Sequence, residues 1–249
     1  MKLQRLLSYT RQAIDAYSMI ESGDKIAIGI SGGKDSLALL YALSHLRTFY
    51  PKKFELVAIT VSLGFDNFDL TAIQTLSESL GVPYHVVHTR IGEIVFDIRK
   101  EPNPCSLCAK LRKGALNEKA IELGCNKIAY GHHKEDLVET LLMSLFYEGR
   151  LNTFLPVTHL ERKNLFVIRP LMFVPESDIK GFKTRYNVPV VASPCPANGH
   201  TKREDIKLLL KSLNTQIPNV ADHIFHAIET GNLPGWKSDQ SDQSDQLPD

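Results

Sequence analysis

No apolar run in the sequence reaches the ~18 residues that a membrane-spanning helix needs, so no helical span is expected. A strong charge of one sign is also missing: 29 Lys and Arg stand against 28 Asp and Glu, a net charge of +1. That excludes a polycation holding nucleic acid by bulk charge, and leaves local clusters of Lys and Arg as the only basis for such a surface. The opening Met1-Lys2-Leu3-Gln4-Arg5 leads into a charged amphipathic stretch in place of the apolar core of a secretion signal. A cytoplasmic location with no membrane partner is therefore expected. Cysteine is scarce, with four in 249 residues. In a reducing compartment so few cysteines argue against a disulfide framework and toward metal or redox chemistry.

What is present suits a globular protein. Hydrophobic residues make up 43% and charged residues 23%, enough for a sizeable core in one large α/β domain with small additions. Leu3, Leu6, Leu7, Ile14 and Tyr17 repeat at helical spacing over residues 3–21. Short apolar runs at 25–30, 56–61, 84–88 and 127–130 read as strands, the first of them buried on both faces. Between them, 35–50, 69–80, 91–100, 106–123 and 134–147 read as helices. Residues 165–168 suit a last strand, and 175–186 and 201–213 further helices. Such alternation predicts a doubly wound parallel sheet with helices on both faces. Ligands in such sheets bind at the carboxyl ends of the strands, where residues 31–36, 62–66 and 131–136 all fall. The expected division is an N-terminal helix over 1–22, the main domain over 23–215, a helical extension over 216–237 and a disordered tail over 238–249. Ser-Asp-Gln repeats give that tail its low complexity.

Ser31-Gly32-Gly33-Lys34-Asp35-Ser36 breaks the first strand and opens the next helix. Paired glycines let a ligand approach the backbone, and a helix N-terminus offers free N–H groups and a positive dipole end, so the segment predicts an anion site. Lys34 adds a point charge, and Ser31 and Ser36 add hydroxyls. A Walker A loop is excluded, because it needs Gly at position 28 and Ser or Thr at 35, and Ile28 and Asp35 stand there. Glu135 and Asp136 follow the fourth strand, where they suit either Mg²⁺ bound against phosphate oxygens or capping of the helix. Asp136 is the stronger Mg²⁺ candidate. His132 and His133 suit either ligand contact or a structural role. Arg112 and Lys113 suit cluster charge balance, RNA phosphate or a solvated helix face.

Cys105 and Cys108 form a C-x-x-C at a helix start, and Cys195 lies between prolines much later in the chain. Spacing alone leaves two readings open. One is a [4Fe-4S] cluster on three thiolates, with one iron lacking a protein ligand. The other is a zinc site with Cys125 or His200 as fourth ligand, although Cys125 also reads as a core thiol.

The loop Ser31–Ser36 resembles the signature of the PP-loop, or N-type ATP pyrophosphatase, superfamily, whose fold is that of the adenine nucleotide alpha hydrolases. Within it, three features resemble the TtcA-like group of tRNA 2-thiocytidine synthetases: Pro104-Cys105-Ser106-Leu107-Cys108 with Leu111-Arg112-Lys113-Gly114; Gly131-His132-His133-Lys134-Glu135-Asp136 with Glu139-Thr140; and Arg169-Pro170-Leu171, followed by Glu176, Ile179 and Cys195-Pro196. The likeness covers roughly residues 20–215. Glu135 departs from it, since relatives often carry Asp there.

The resemblance implies ATP, Mg²⁺ and a [4Fe-4S] cluster as cofactors. Cys105, Cys108 and Cys195 would bind the cluster. Ser31, Gly32, Gly33, Lys34, Asp35, Ser36, Gly131 and His132 would bind ATP, with backbone near Ala58 to Ser62 reading adenine. Lys34, Asp136 and Arg112 would act in catalysis. The implied reaction adenylates the 2-oxygen of an anticodon-loop cytidine in tRNA and replaces it with sulfur. A sulfur donor such as a cysteine desulfurase and a homodimer are implied as well. The alternatives are 2-thiouridine or lysidine formation, or a non-catalytic nucleotide or iron–sulfur module.

Overall fold

A computed structural model of the chain describes residues 1–65, 68–100, 104–192, 194–196, 202–231 and 233–236. His200 and the Ser-Asp-Gln tail lie outside them. Six strands form one sheet: β1 (Lys25–Gly29), β2 (Glu55–Ser62), β3 (Tyr84–His88), β4 (Lys127–Ala129), β5 (Val157–Leu160) and β6 (Leu165–Ile168), in the order β3-β2-β1-β4-β6-β5. All pairs are parallel except β5–β6, an antiparallel hairpin at the edge. The edge strand β5 was not among the strands expected from the sequence. The helices in chain order are α1 (Leu3–Ala16), α2 (Lys34–Phe49), α3 (Thr71–Ser79), α4 (Ile91–Glu93), α5 (Pro104–Glu122), α6 (Lys134–Met143), α7 (Glu176–Arg185), α8 (Lys202–Gln216) and α9 (Val220–Thr230). Single π-helical turns extend α4 over Ile94–Ile98 and α6 over Ser144–Glu148.

Alternation along the strands divides the core into two layers. Ile26, Ile28, Leu56, Ala58, Ala129 and Ile168 face α1, α2, α3, α6, α7, α8 and α9. Ala27, Val57, Ile59, Ile128 and Leu165 face α4 and α5. Helix α2 is buried almost all round, with Leu37, Leu39, Leu40, Leu43 and Leu46 at 0% exposure, as a helix sandwiched between the sheet and other helices must be. Each such side chain contributes about 1.5–3 kcal/mol by leaving water. Together they fix the start of α2 against β1.

Helix α1 stops at Ala16, short of the periodic run. Ser18 takes a left-handed φ of 45°, and Met19 and Ile20 enter the core at 0% exposure from a turn. Their apolar character continues the pattern without continuing the helix. The order of the strands reverses beside β1: β2 and β3 lie on one side, and β4, β6 and β5 on the other. A crevice opens at such a reversal.

Candidate nucleotide and thiol site

A cavity of about 410 Å³ lies at the carboxyl ends of β1, β2 and β4. Its wall combines Ser31, Asp35 and Ser36 from the first loop, Ile59 to Leu63 from the end of β2, and Gly131, His132 and Asp136 after β4. Helix α5 closes it with Ala109, Arg112, Lys113 and Leu116, and Phe154 and Pro194 complete the rim. The three strand-end segments singled out in the sequence thus meet around one space.

The loop's shape follows from its residues. Gly32 has φ +84°, a left-handed conformation that glycine adopts without strain, and its carbonyl accepts the Val191 amide at 3.0 Å. Gly33 then caps α2. The Ser36 hydroxyl donates to the Gly33 carbonyl at 2.9 Å and accepts the Ser31 amide at 3.2 Å, which holds the turn closed. Gly131 runs against this loop so closely that a Cβ there would meet the Asp35 carbonyl at 2.8 Å. Any larger residue would push the two strand-end loops apart.

Charge is concentrated around the helix starts. Lys34 Nζ lies 2.9 Å from Asp35 and 3.0 Å from Glu176, and its side chain is not part of the cavity wall. Burial works to lower the Lys34 pKa, but the two carboxylates outweigh it and the net direction is upward. Burial alone would raise Glu176; hydrogen bonds from Lys180 and Lys34 instead bring it down to about 2. Asp136, at the third position of α6, accepts the His133 amide at 2.9 Å. Arg203 of α8 reaches its Oδ1 at 3.4 Å and Glu139 at 3.1 Å.

The two histidines are opposite in character. His133 is 2% exposed and lies 3.1 Å from Glu135 and 3.5 Å from Asp136. Burial disfavours its charge, but these carboxylates and Asp35 raise its pKa overall. His132 stacks on Phe154 with centroids 4.3 Å apart. Burial, then the charge of Arg169, push it down to about 3, and its Nδ1 meets no partner among the described residues. Arg169 is itself buried. It donates to the Leu155 carbonyl, and to Thr158 at 3.2 Å, while its guanidinium lies 5.0 Å above the Phe154 ring. Phe154 and Tyr130 were not singled out from sequence, nor was any role for Arg169. Of the three, only Arg169 belongs to one of the three motifs that carry the family resemblance.

Ala58 is fully buried in the core, and its amide bonds the Pro83 carbonyl at 2.8 Å. The next residues of β2, not Ala58, reach the cavity. Cys105 is exposed, and Cys108 and Cys195 are partly so. Burial raises the Cys108 pKa, Arg112 works against this, and Cys195 and Cys105 both lie near enough to add to the rise. Cys125 is elsewhere: it is 6% exposed beneath α5, near Lys25 and Glu55 at the opposite ends of the strands. It therefore stands apart from the other three as a core thiol. Among the described residues, no group of three His, Cys, Asp or Glu side chains is arranged around one metal ion. A [4Fe-4S] cluster takes each thiolate on its own iron. The donor set, three thiols with a guanidinium beside the middle one, fits that group in kind.

A mostly parallel sheet with a glycine loop and a carboxyl-end cavity at its reversal point defines an α/β nucleotide-binding protein. Comparison with known families narrows this. The family model of the PP-loop domain matches residues 5–211. A tRNA-cytidine(32) 2-sulfurtransferase of Pelobacter propionicus is 38% identical over 90% of this chain and 85% of its own. One from Anaeromyxobacter dehalogenans is 36% identical over 90% and 78%. Among solved structures, the U34-tRNA thiolase NcsA of Methanococcus maripaludis with its [4Fe-4S] cluster superposes at TM-score 0.73, with 25% identity over 89% of this chain and 76% of that one. The NH3-dependent NAD synthetase of Campylobacter jejuni shares the fold alone, at TM-score 0.51 and 15% identity over 93% and 95% of the two chains. The chain belongs to the PP-loop family, and within it to the branch of the tRNA-cytidine(32) 2-sulfurtransferases.

Proposed function

We propose that this protein thiolates tRNA using ATP, adenylating the 2-oxygen of an anticodon-loop cytidine and replacing that oxygen with sulfur. The observation that supports this most strongly is a shared wall. One cavity is bounded on one side by the Ser31–Ser36 loop and on the other by α5, whose N-terminal end carries Cys105 and Cys108.

The cytidine oxygen attacks the α-phosphate of ATP, and pyrophosphate leaves. An amide-like oxygen is a poor leaving group; once adenylated it departs as AMP while sulfur bonds to the same carbon. Ser31, Gly32, Gly33, Asp35 and Ser36 hold the pyrophosphate portion at the N-terminus of α2, where backbone N–H groups favour negative charge. Lys34 balances the carboxylates beside that site. Gly131 and His132 border the nucleotide, and the end of β2 just beyond Ala58 reads adenine. Asp136 would hold Mg²⁺, which would offset the negative charge of the phosphates. Arg112 and Lys113 stabilise negative charge at the opposite wall. Cys105, Cys108 and Cys195 would hold a [4Fe-4S] cluster, whose iron without a protein ligand would supply the sulfur. The reading extends to a cysteine desulfurase as sulfur donor, a homodimer and a cytoplasmic location.

The test is anaerobic turnover. Protein reconstituted with iron and sulfide is given ATP, Mg²⁺ and unmodified tRNA. Pyrophosphate release dependent on tRNA, with 2-thiocytidine found by nucleoside mass spectrometry, is the expected outcome. A thiolated uridine or a lysidine would move the protein to another branch. ATP binding without tRNA-dependent pyrophosphate release would make it a non-catalytic module.

A further inference from the structure

We propose that the exposed segment Leu145–Asn152, between α6 and β5, is a platform on which unpaired bases of an RNA loop stack. The inference rests on the reading of tRNA as substrate, and it assigns the surface that receives it. Eight consecutive residues here are exposed. Four of them are large and apolar: Leu145 at 41%, Phe146 at 54%, Tyr147 at 52% and Leu151 at 67% exposure. Exposed apolar residues clustered in this way mark an interaction site.

The position is fixed at both ends. Upstream, the segment continues α6, which begins at the cavity with His133 and Asp136. Downstream, Thr153 is tied to the Leu137 carbonyl at 2.7 Å, and Phe154 returns to the cavity wall. The platform is therefore an outgrowth of the nucleotide site. The Lys202 ammonium lies 5.5 Å from the Tyr147 ring, and Arg150 is exposed in the same run.

Aromatic faces flanked by cations are the combination that binds single-stranded nucleic acid, since every base has a π-face and every nucleotide a phosphate. A stable dimer needs about 20–30 residues a side, more than this run of eight exposed residues offers. A nucleotide that enters the cavity leaves its neighbours in the loop unstacked, and Phe146 and Tyr147 would take them up.

The experiment measures binding of a fluorescent anticodon stem-loop RNA by anisotropy, using the full chain and ATP. Phe146→Ala with Tyr147→Ala is expected to raise the Kd about tenfold or more, the size of lost base stacking, while the affinity for ATP stays as it was. Tyr147→Phe should bind like wild type. Arg150→Ala should lower the slope of log K against log salt by about one; the aromatic double variant should leave that slope unchanged. Wild-type binding with an unaltered Kd in the double variant overturns the platform alone. Loss of self-association in the double variant, with RNA binding intact, overturns it in favour of an interface between copies. If the wild-type chain binds ATP but no RNA, the tRNA reading fails and the platform with it.

Discussion

Lys34 and Glu176 are joined across the mouth of the phosphate loop, Nζ to Oε1 at 3.0 Å. The loop's lysine is thus anchored to the start of α7 and neutralised by it, with Asp35 as a second carboxylate at 2.9 Å. Under the proposed function, its main service is to keep two acids from repelling a polyphosphate. Lys34→Ala should lower kcat/KM for ATP by about ten- to a hundredfold, the scale of a charge-assisted hydrogen bond. Adding Glu176→Gln to that variant should restore part of the loss, because it removes one of the stranded charges. Pyrophosphate release checks both. No recovery in the double variant would mean that Lys34 contacts the phosphates directly.

The same pair leaves a mark on acid stability. The Glu176 carboxyl titrates at about 2 in the folded chain, against about 4.3 in an unfolded one. Its contribution is complete above the higher value and is lost as pH falls through the lower one. Glu176→Gln should therefore be less stable than wild type at pH 6 and should approach it near pH 2. Urea titrations at a series of pH values test this.

Neighbouring His132 and His133 should give pH dependences of opposite sign. His132 titrates at about 3 in the folded chain and at about 6.5 unfolded. Between those values only the unfolded chain binds the proton, so stability rises with pH. His133 is shifted upward. Its contribution is complete below about 6.5 and is lost as pH climbs through the folded value. His132→Gln should flatten the acid side of the stability profile, and His133→Gln the side above about 6.5. Chelator-treated protein, followed by urea unfolding from pH 4 to 9, provides the comparison. Profiles that change on the same side would contradict the assignment.

Much of this arrangement was legible in the sequence, for definite reasons. Parallel strands buried on both faces read as plain apolar runs, so β1, β2, β4 and β6 stood out. β5 did not, because Val157, Thr158 and Leu160 are only partly buried and His159 is exposed; a short edge strand carries neither an apolar run nor clean alternation. The loops around the cavity were visible because each follows a strand. Phe154 and Arg169 were not assigned roles. Their importance comes from stacking between segments distant in sequence, which no local spacing records. Ala58 itself lies in the core with its amide bonded to the Pro83 carbonyl, and the cavity wall begins at Ile59, the next residue of the same paired strand.

Arg203 joins α8 to α6 through Asp136 at 3.4 Å, Glu139 at 3.1 Å and Thr140 at 3.2 Å. Glu139 is 2% exposed, and burial holds its pKa above the usual carboxylate range despite Lys207 and Arg203 nearby. Arg203→Ala should cost about 1–3 kcal/mol by stranding that carboxylate. Glu139→Gln in the same chain should recover part of it. Additive losses in a double-mutant cycle would show that the pair is uncoupled.

The cysteines give the sharpest test, because two metals predict different outcomes. Cys105 and Cys108 open α5, and Cys195 approaches from the segment between α7 and α8, near enough to influence Cys108. Changing any of the three to Ala should remove the iron, the broad visible absorption of a cluster and the thiolation together. Cys125 lies under α5 among Ala120, Ile128 and Leu165. Cys125→Ala should cost about 1 kcal/mol of packing and leave iron content unchanged. Protein purified without oxygen should hold about four irons per chain if the cluster is of the [4Fe-4S] type. Zinc, with its filled d shell and no redox chemistry, gives no such colour. Stoichiometric zinc without iron would leave ATP activation standing and remove the proposed source of sulfur. Loss of iron in Cys125→Ala would mean a fourth protein thiolate at the cluster. The sulfur would then have no open iron to occupy, and with all four cysteines on the cluster it would have to pass to the activated carbon directly from an external donor.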